Sequence, residues 1–252
     1  MFDLLKSSVG KKVVMAVTGL ILVGFVISHM TGNLKVFGGV DSFTGEYKID
    51  LYALFLRTIG EEMVGYEGVL WLTRIVLLLS VILHAWAGIT LARLNRASKP
   101  VGYRAQKFSG ATAASRTMIY GGLLLIAFIF IHILHLTTGE LHPGGFEHLA
   151  VYSNLYSGFE PWYFAVFYVV AMAALALHIY HGIWSMFQTL GVDHPSWNGG
   201  IRAFAKFVSV ALFIGFSSVP VAMHLRLVSP PQQLEEQVVD VQSESQQVVQ
   251  AQ

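Results

Sequence analysis

The stretch V-V-M-A-V-T-G-L-I-L-V-G-F-V-I-S-H-M, residues 13–30, decides the fold, because 18 residues without Asp, Glu, Lys or Arg can cross a bilayer as a helix. Four more apolar runs follow, at residues 69–92, 118–136, 163–190 and 204–225. Only 12% of the chain is charged, against roughly 25% in an average soluble domain. The sequence therefore predicts an all-α integral membrane protein with five transmembrane helices, of which the first four form a bundle.

Charge and cysteine content exclude several classes of protein. A net charge of +1, with no Lys/Arg block interleaved with aromatic residues, excludes nucleic-acid binding. The chain has no cysteine, which excludes disulfides, thiolate metal sites, iron–sulfur clusters and covalently attached c-type haem. Any haem in this chain must therefore be held by other side chains, in surroundings that consist mainly of membrane lipid.

Basic residues are unevenly shared among the connections between the apolar runs. The second connection carries six of them and no acid: Arg93, Arg96, Lys99, Arg104, Lys107 and Arg116. The positive-inside rule places this connection in the cytoplasm, with the N-terminus and the short fourth connection that holds Arg202 and Lys206. The first and third connections are more acidic and are expected outside. Five crossings of the cytoplasmic membrane then leave the C-terminus outside.

The two ends of the chain are expected to differ in structure. Lys6, Lys11 and Lys12 precede the first apolar run as they would in a signal peptide, but no small-residue cleavage site closes it, so a retained helix is expected. Residues 1–228 are predicted to form the membrane domain. Residues 229–252 are rich in Gln, Val, Glu and Ser without a core-forming period, which predicts a disordered or partner-bound tail.

Histidines are the informative polar residues of the apolar runs. Of ten in the chain, six lie in the first four runs: His29, His84, His132, His135, His178 and His181. An ionisable side chain inside a membrane helix is a functional hypothesis by default, although a lone histidine can simply make an interhelical hydrogen bond. The remaining histidines are expected to be solvated: His142, His148, His194 and His224.

Helical rise places one pair of histidines near the outer face of the membrane. His29 follows Lys12, at the inner edge, by about 25 Å of helix, and His132 follows Arg116, also at the inner edge, by about 24 Å. The first and third helices therefore present His29 and His132 at the same outer level. Neutral imidazoles on facing helices of a bundle are suitable axial ligands for a haem iron.

A second pair is expected near the inner face by the same arithmetic. His84 follows Glu67, at the outer edge, by about 25 Å, and His178 follows Trp162, also at the outer edge, by about 24 Å. In a hydrocarbon core about 30 Å thick, the two levels lie on the order of 15 Å apart. The sequence thus predicts two bis-histidine haems in the bundle, at a separation suited to electron transfer.

Two further histidines leave the choice of ligand open. His135 and His181 follow His132 and His178 by three residues, so each lies on nearly the same helix face as its neighbour. Either can replace its neighbour as a ligand. Their alternative role is hydrogen bonding to haem propionates or to quinone.

Basic and small residues complete the expected haem surroundings. Arg74 and Arg93, at opposite ends of the second helix, are candidate partners of propionates, and ordinary snorkelling explains them equally well. Small residues that would allow a macrocycle or a second helix to approach are Gly19, Gly24, Gly88, Gly121, Gly122 and Gly182. Close helix packing alone is the alternative explanation for these glycines.

Two segments carry a resemblance to a known family. L-I-L-V-G-F-V-I-S-H-M-T-G-N-L at Leu20 to Leu34 and H-I-Y-H-G-I-W-S-M-F-Q-T-L-G at His178 to Gly191 resemble the single-polypeptide, two-haem cytochrome b subunit of succinate dehydrogenase and fumarate reductase. The resemblance covers residues 1–228, and the fourth-helix segment is its most specific part. The family's ligands fall on His29, His132, His84 and His178, paired first helix with third and second with fourth.

The resemblance implies a function for the chain within a complex. Members of the family anchor a flavoprotein subunit and an iron–sulfur subunit on the cytoplasmic face, and electrons pass between the iron–sulfur subunit and membrane quinone. FAD and iron–sulfur clusters would then belong to those partners, while this chain would hold two haem b and meet menaquinone or ubiquinone. Some menaquinol-linked members carry a glutamate where this chain has Ala176, so the resemblance implies no proton pathway at that position.

Several alternatives stay open on the sequence. Quinone-site candidates on the outer side are Glu61, Glu62, Glu67 and His135. A dihaem subunit of another quinone-linked dehydrogenase, such as a formate dehydrogenase or hydrogenase, or a four-helix ascorbate-linked cytochrome, would also carry paired histidines. A proton-coupled transporter with histidines in its helices is the alternative from a different class. The direction of turnover is also left open.

Overall fold

The structure, a computed structural model, describes residues 7–97, 113–192 and 194–231, with side chains of the third long helix described from Thr117 onward. Within these residues the chain is helical apart from turns, a 3₁₀ segment at Leu34–Gly38 and one isolated β-bridge between Val40 and Tyr47. The helices are α1 (Ser8–Asn33), α2 (Lys48–Thr58), α3 (Glu61–Val64), α4 (Gly68–Ala97), α5 (Ala113–Leu136), α6 (Val151–Gly158), α7 (Trp162–Thr189) and α8 (Pro195–His224).

In the part of the chain that the structure describes, five helices are long and apolar enough to cross a membrane. They are Ser8–Gly38, Gly68–Ala97, Thr117–Leu136, Trp162–Thr189 and Pro195–His224. Each coincides with one of the five apolar runs of the sequence, so the predicted all-α membrane protein with five spanning helices is confirmed. Large aliphatic side chains such as Leu78, Leu123 and Ile214 are exposed on these helices, as expected where lipid rather than water surrounds them.

The start of the fifth spanning helix differs from the prediction. The run was expected from residue 204, but α8 begins at Pro195, so Arg202 and Lys206 lie inside the helix rather than in a connection. Proline is favoured at the first helical position because its missing N–H has no intrahelical partner there anyway. The guanidinium of Arg202 lies over the ring of Trp184, 4.4 Å from its centroid, which keeps a charge close to an apolar segment.

The helices bury narrow stripes of mostly small or apolar residues. On α7 the buried positions include Ala165, Tyr168, Met172, Ile179 and Ile183, and on α8 they include Ala205, Val208, Leu212, Val219 and Met223. Their three- and four-residue spacing, or multiples of it, places each set on one helix face. The fifth helix is therefore packed against other parts of the protein along much of its length.

The chain divides into two compact units, and each histidine pair falls within one of them. The first unit takes its described residues from Met1–Ser28, Trp71–Phe128 and Ala171–Ile214, which include His84 and His178. The second takes them from His29–Leu70, Ile129–Val170 and Gly215–Gln252, which include His29 and His132.

The connections of the second unit fold into three short helices, α2, α3 and α6, which the apolar pattern of the sequence does not predict. A carboxylate oxygen of Asp50, on α2, accepts a hydrogen bond of 2.9 Å from the backbone N–H of Tyr152, the second residue of α6. Asp50 therefore caps α6, whose own preceding residue, Ala150, has no side chain able to do so. Burial raises the pKa of the Asp50 carboxyl, although the N–H groups it accepts favour its charged form.

A pair of stacked tyrosines holds the residues that follow α8. The rings of Tyr47 and Tyr152 lie parallel with centroids 4.0 Å apart. Tyr47 donates its hydroxyl to the carbonyl of Pro231 at 2.7 Å, and Tyr152 donates to the carbonyl of Ser229 at 2.8 Å. The first residues of the predicted tail are therefore bound to the second unit. The rest of that tail, residues 232–252, lies outside the described residues, as do Lys99, Arg104 and Lys107 of the basic connection.

Candidate functional site

The first unit brings His84 of α4 and His178 of α7 together. Their ring centroids lie 6.1 Å apart and the rings are tilted by 57°. Both side chains are half-buried. Two imidazoles that bind one metal ion from opposite sides have ring centroids roughly 6 Å apart, since each nitrogen lies about 2 Å from the metal and about half a ring width separates that nitrogen from its centroid. The pair has the separation that an iron between the two rings requires.

Hydrogen bonds from α1 determine which nitrogen of His84 carries a proton. The Nδ1 atom lies 3.1 Å from the carbonyl oxygen of Met15 and 3.2 Å from the hydroxyl oxygen of Thr18. Thr18 itself donates to the carbonyl of Val14 at 2.7 Å, so its oxygen is available as an acceptor. Because a carbonyl can only accept, Nδ1 of His84 is the donor and Nε2 is left unprotonated, with a lone pair for a metal.

His178 carries a buried nitrogen without a partner. Its Nδ1 is buried and makes no hydrogen bond to any of the described residues. A buried polar atom of this kind costs free energy unless a group absent from the protein chain satisfies it. Nδ1 of His178 is thus available to a group that the protein chain does not itself supply.

Two glycines of the first unit lie close to this histidine pair. A Cβ added at Gly19 would lie 3.3 Å from Cε1 of His84, and one added at Gly122 would lie 3.8 Å from Cε1 of His178. At Gly88, Gly121 and Gly182 an added Cβ would meet no heavy atom within 4 Å. The backbone of α1 and α5 therefore approaches the two imidazoles closely, and a pair of imidazoles is a donor set that fits a haem iron.

The second unit brings His29 of α1 and His132 of α5 together. Their ring centroids lie 5.9 Å apart with an interplanar angle of 83°. This separation is also close to the roughly 6 Å expected for two axial imidazoles on one metal. Phe216 of α8 lies against His29, with centroids 5.8 Å apart. The fifth helix therefore contributes an aromatic wall to this pair, although the prediction gave the site to the first four helices alone.

His135 occupies a different environment from His132. It is completely buried and stacks on Phe164, with centroids 3.9 Å apart and an angle of 8°. Its Nε2 lies 3.2 Å from the carbonyl of Gly158, and its Nδ1 lies 3.0 Å from the hydroxyl of Tyr168. Both ring nitrogens are thus engaged within the protein, which favours His132 over His135 as the ligand-bearing histidine of α5. His181 is half-buried on α7, and the ring that lies against His84 is that of His178.

The charged candidates lie in varied surroundings. The guanidinium of Arg74 lies over Trp71 at 4.7 Å, and Arg93 is exposed. The carboxylate of Glu67 accepts a hydrogen bond of 2.9 Å from Arg57 in a mostly buried ion pair, so it is less available to a quinone than predicted. The other two outer candidates, Glu61 and Glu62, are exposed on α3.

One loop histidine differs from its prediction. His142 was expected to be solvated, but it is half-buried, and its Nε2 donates to the carbonyl of Asn154 at 2.9 Å. Its ring also lies against that of His135, with centroids 5.7 Å apart. The short helix α6, which the sequence analysis did not predict, supplies the carbonyl and causes the burial. His148 and His194 are exposed, in agreement with the prediction.

Within the described residues, no three His, Cys, Asp or Glu side chains are grouped so that they could hold a bare metal ion. An iron in a porphyrin differs in needing only two protein ligands, and each histidine pair offers two imidazoles. No family model, curated protein or solved structure matches this chain. The observations that bear on function are therefore the two histidine pairs and the resemblance of residues 20–34 and 178–191 to a family of cytochromes b.

Proposed function

We propose that the chain is the dihaem cytochrome b membrane anchor of a succinate:quinone oxidoreductase, passing electrons between an iron–sulfur subunit and membrane quinone. The observation that carries the proposal is the meeting of two separate pairs of histidines, His84 with His178 and His29 with His132, at centroid distances of 6.1 and 5.9 Å. One such pair in a helical membrane protein has many explanations. Two pairs, each joining different helices at the spacing of axial ligands, favour two haems.

The protein's own residues would hold each haem b in a defined way. His84 and His178 would hold one haem, with Nε2 of His84 as the binding atom and its tautomer fixed by the carbonyl of Met15. His29 and His132 would hold the other. Apolar helices around both pairs exclude water, which lowers the local dielectric around any charge on the iron. Bound haem b would supply one-electron redox chemistry, with a potential tuned by these ligands and their hydrogen bonds.

The choice of complex rests on the family resemblance. On that basis the flavoprotein and iron–sulfur subunits dock on the cytoplasmic face, where the basic connection between α4 and α5 is expected, and they hold FAD and the iron–sulfur clusters. Menaquinone or ubiquinone would be reached from within the membrane. The N-terminus would then be cytoplasmic and the C-terminus outside.

A direct experiment is purification of the full chain with its native partners from detergent-solubilised membranes. The preparation should be red, contain two haem b per chain by pyridine haemochrome, and carry flavin and iron–sulfur centres on co-purifying subunits. Succinate should reduce added ubiquinone or menaquinone analogues. Two haems without a succinate-oxidising partner would indicate another quinone-linked dehydrogenase, and a colourless protein would indicate the proton-coupled transporter instead.

A further inference from the structure

A chain of hydrogen bonds in the second unit links the two histidines of α5 through Tyr168 of α7. The Tyr168 hydroxyl oxygen lies 3.0 Å from Nδ1 of His135 and 3.3 Å from Nδ1 of His132. Tyr168 is buried, and its ring lies edge-on to both imidazoles and to Phe159. Nothing in the spacing of the histidines alone requires this third residue.

The direction of each hydrogen bond follows from the last group of the chain. The carbonyl of Gly158 can only accept, so Nε2 of His135 carries the proton of their 3.2 Å contact. Neutral His135 then has an unprotonated Nδ1, which accepts the hydroxyl proton of Tyr168. Because that proton points towards His135, the Tyr168 oxygen faces His132 as an acceptor. Nδ1 of His132 is therefore the donor, and its Nε2 is left with the lone pair.

We propose that Tyr168 is a positioning residue that fixes the tautomer and raises the electron density of His132, with His135 acting as the anchor that orients the Tyr168 hydroxyl. This inference rests on the proposed function, since it concerns a haem held by His29 and His132. Donation from the distal ring nitrogen makes an imidazole a more basic ligand, which stabilises oxidised iron and lowers its potential. Tyr168 thus gives this chain a means of setting one haem potential separately from the other.

His135 is well placed to be an anchor rather than a ligand. It is held on one face by Phe164 and on an edge by Phe159, and its far nitrogen is tied to the backbone. A ring fixed in this way can neither flip nor move its proton from Nε2 to Nδ1 without losing the Gly158 hydrogen bond in a buried site. The orientation of the Tyr168 hydroxyl is therefore fixed, through His135, by the backbone carbonyl of Gly158 at the end of α6.

The test is a redox titration of the holo complex carrying Tyr168→Phe. The variant keeps the ring but removes the acceptor of His132, so one of the two haem potentials should rise and the other should stay unchanged. The component that rises should be the one that disappears in His132→Leu. Tyr163→Phe is the matched control, because Tyr163 lies on the same helix with 52% of its surface exposed; it should move neither potential.

Substitutions at His135 provide an independent readout. His135→Asn places a side-chain oxygen near the position of Nδ1 and should keep the wild-type potential, whereas His135→Leu removes the acceptor and should shift the same component as Tyr168→Phe. This pair carries the test if Tyr168→Phe does not accumulate. Unchanged potentials, a downward shift, or an equal shift of both haems in Tyr168→Phe would overturn the inference while leaving the dihaem function intact. A wild-type complex without haem would overturn both.

Discussion

Replacing single members of the two histidine pairs should separate the haems. His84→Leu and His178→Leu should each remove the same haem, because their rings meet at 6.1 Å, and His29→Leu and His132→Leu should each remove the other, because theirs meet at 5.9 Å. Leucine offers no lone pair, and the remaining imidazole cannot span a gap that two rings fill. Even loss of an outer-shell partner of a metal ligand typically costs about 10–100-fold in affinity, so loss of a ligand should cost more.

The expected magnitude is the loss of one whole haem per chain, from two to one. Haem content by pyridine haemochrome gives the number, and a redox titration of the reduced-minus-oxidised spectrum shows which component has gone. Membranes that retain the protein, judged by immunoblot, are the proper sample, since an empty cofactor cavity also removes buried packing. Exposed histidines provide a control in each unit: His148→Leu and His194→Leu should keep both haems.

The pairing would be refuted by a mixed pattern. If His84→Leu and His29→Leu depleted the same component while His132→Leu depleted the other, neither of the pairs seen in the structure would hold a haem. If His135→Leu abolished a haem and His132→Leu did not, the ligand on α5 would be wrong although the helix pairing would survive. Retention of both haems in all four variants would refute histidine ligation altogether.

Three further predictions concern other parts of the chain. Gly19→Ala should change the spectrum or potential of the haem at His84, because the added Cβ lies 3.3 Å from that ring, whereas Gly200→Ala, with open space around its Cβ, should not. Asp50→Ala should lower thermal stability by about 1–3 kcal/mol by leaving the N–H of Tyr152 unpaired, whereas Asp50→Asn should retain an acceptor. Burial raises the pKa of the Asp50 carboxyl in the folded protein, so protonation of Asp50 stabilises the fold. This contribution is fully present below the ordinary carboxyl pKa and is lost as pH rises through the raised pKa. Asp50→Asn should remove that pH dependence of the melting temperature. A C-terminal alkaline phosphatase fusion should be active in a bacterial host, and a fluorescent cytoplasmic reporter at the same point would contradict the five-span orientation.

The sequence predicts the spanning helices and the two histidine pairs because both depend only on positions along the chain. Apolar run length is enough to identify a membrane helix, since hydrocarbon requires every backbone polar group to be satisfied within the segment. Helical rise then converts position into depth, and because the second and fourth spanning helices run in the same direction, equal distances from the outer edge bring His84 level with His178. The meeting of His29 with His132 follows in the same way, although the depth argument could not choose between His132 and His135.

Tyr168, Gly158 and the burial of His142 could not be predicted from the sequence, because each depends on contacts between segments that are distant in the chain. Tyr168 lies in an apolar run that contains several other aromatics, so nothing in the sequence marks its hydroxyl as the group that meets His132. Gly158 and the burial of His142 depend on α6, an eight-residue helix whose start is capped by Asp50 from about 100 residues earlier in the chain. Such a helix is too short to be stable alone and has no clear local signal. Only tertiary packing determines that these groups meet.

The histidines of the two proposed haem sites differ in the groups that their Nδ1 atoms contact. Nδ1 of His84 is tied to the carbonyl of Met15, a backbone group present whatever side chain occupies that position, with the Thr18 hydroxyl as a second acceptor. Nδ1 of His132 instead meets the hydroxyl of Tyr168, a side-chain group that one substitution removes. On the proposed function, the basicity of His84 would be set by a backbone carbonyl together with the Thr18 hydroxyl, whereas that of His132 would depend on the Tyr168 hydroxyl. On the proposed function, this difference would allow substitution of Tyr168 to change the potential of the haem at His132 while the potential of the haem at His84 stays the same.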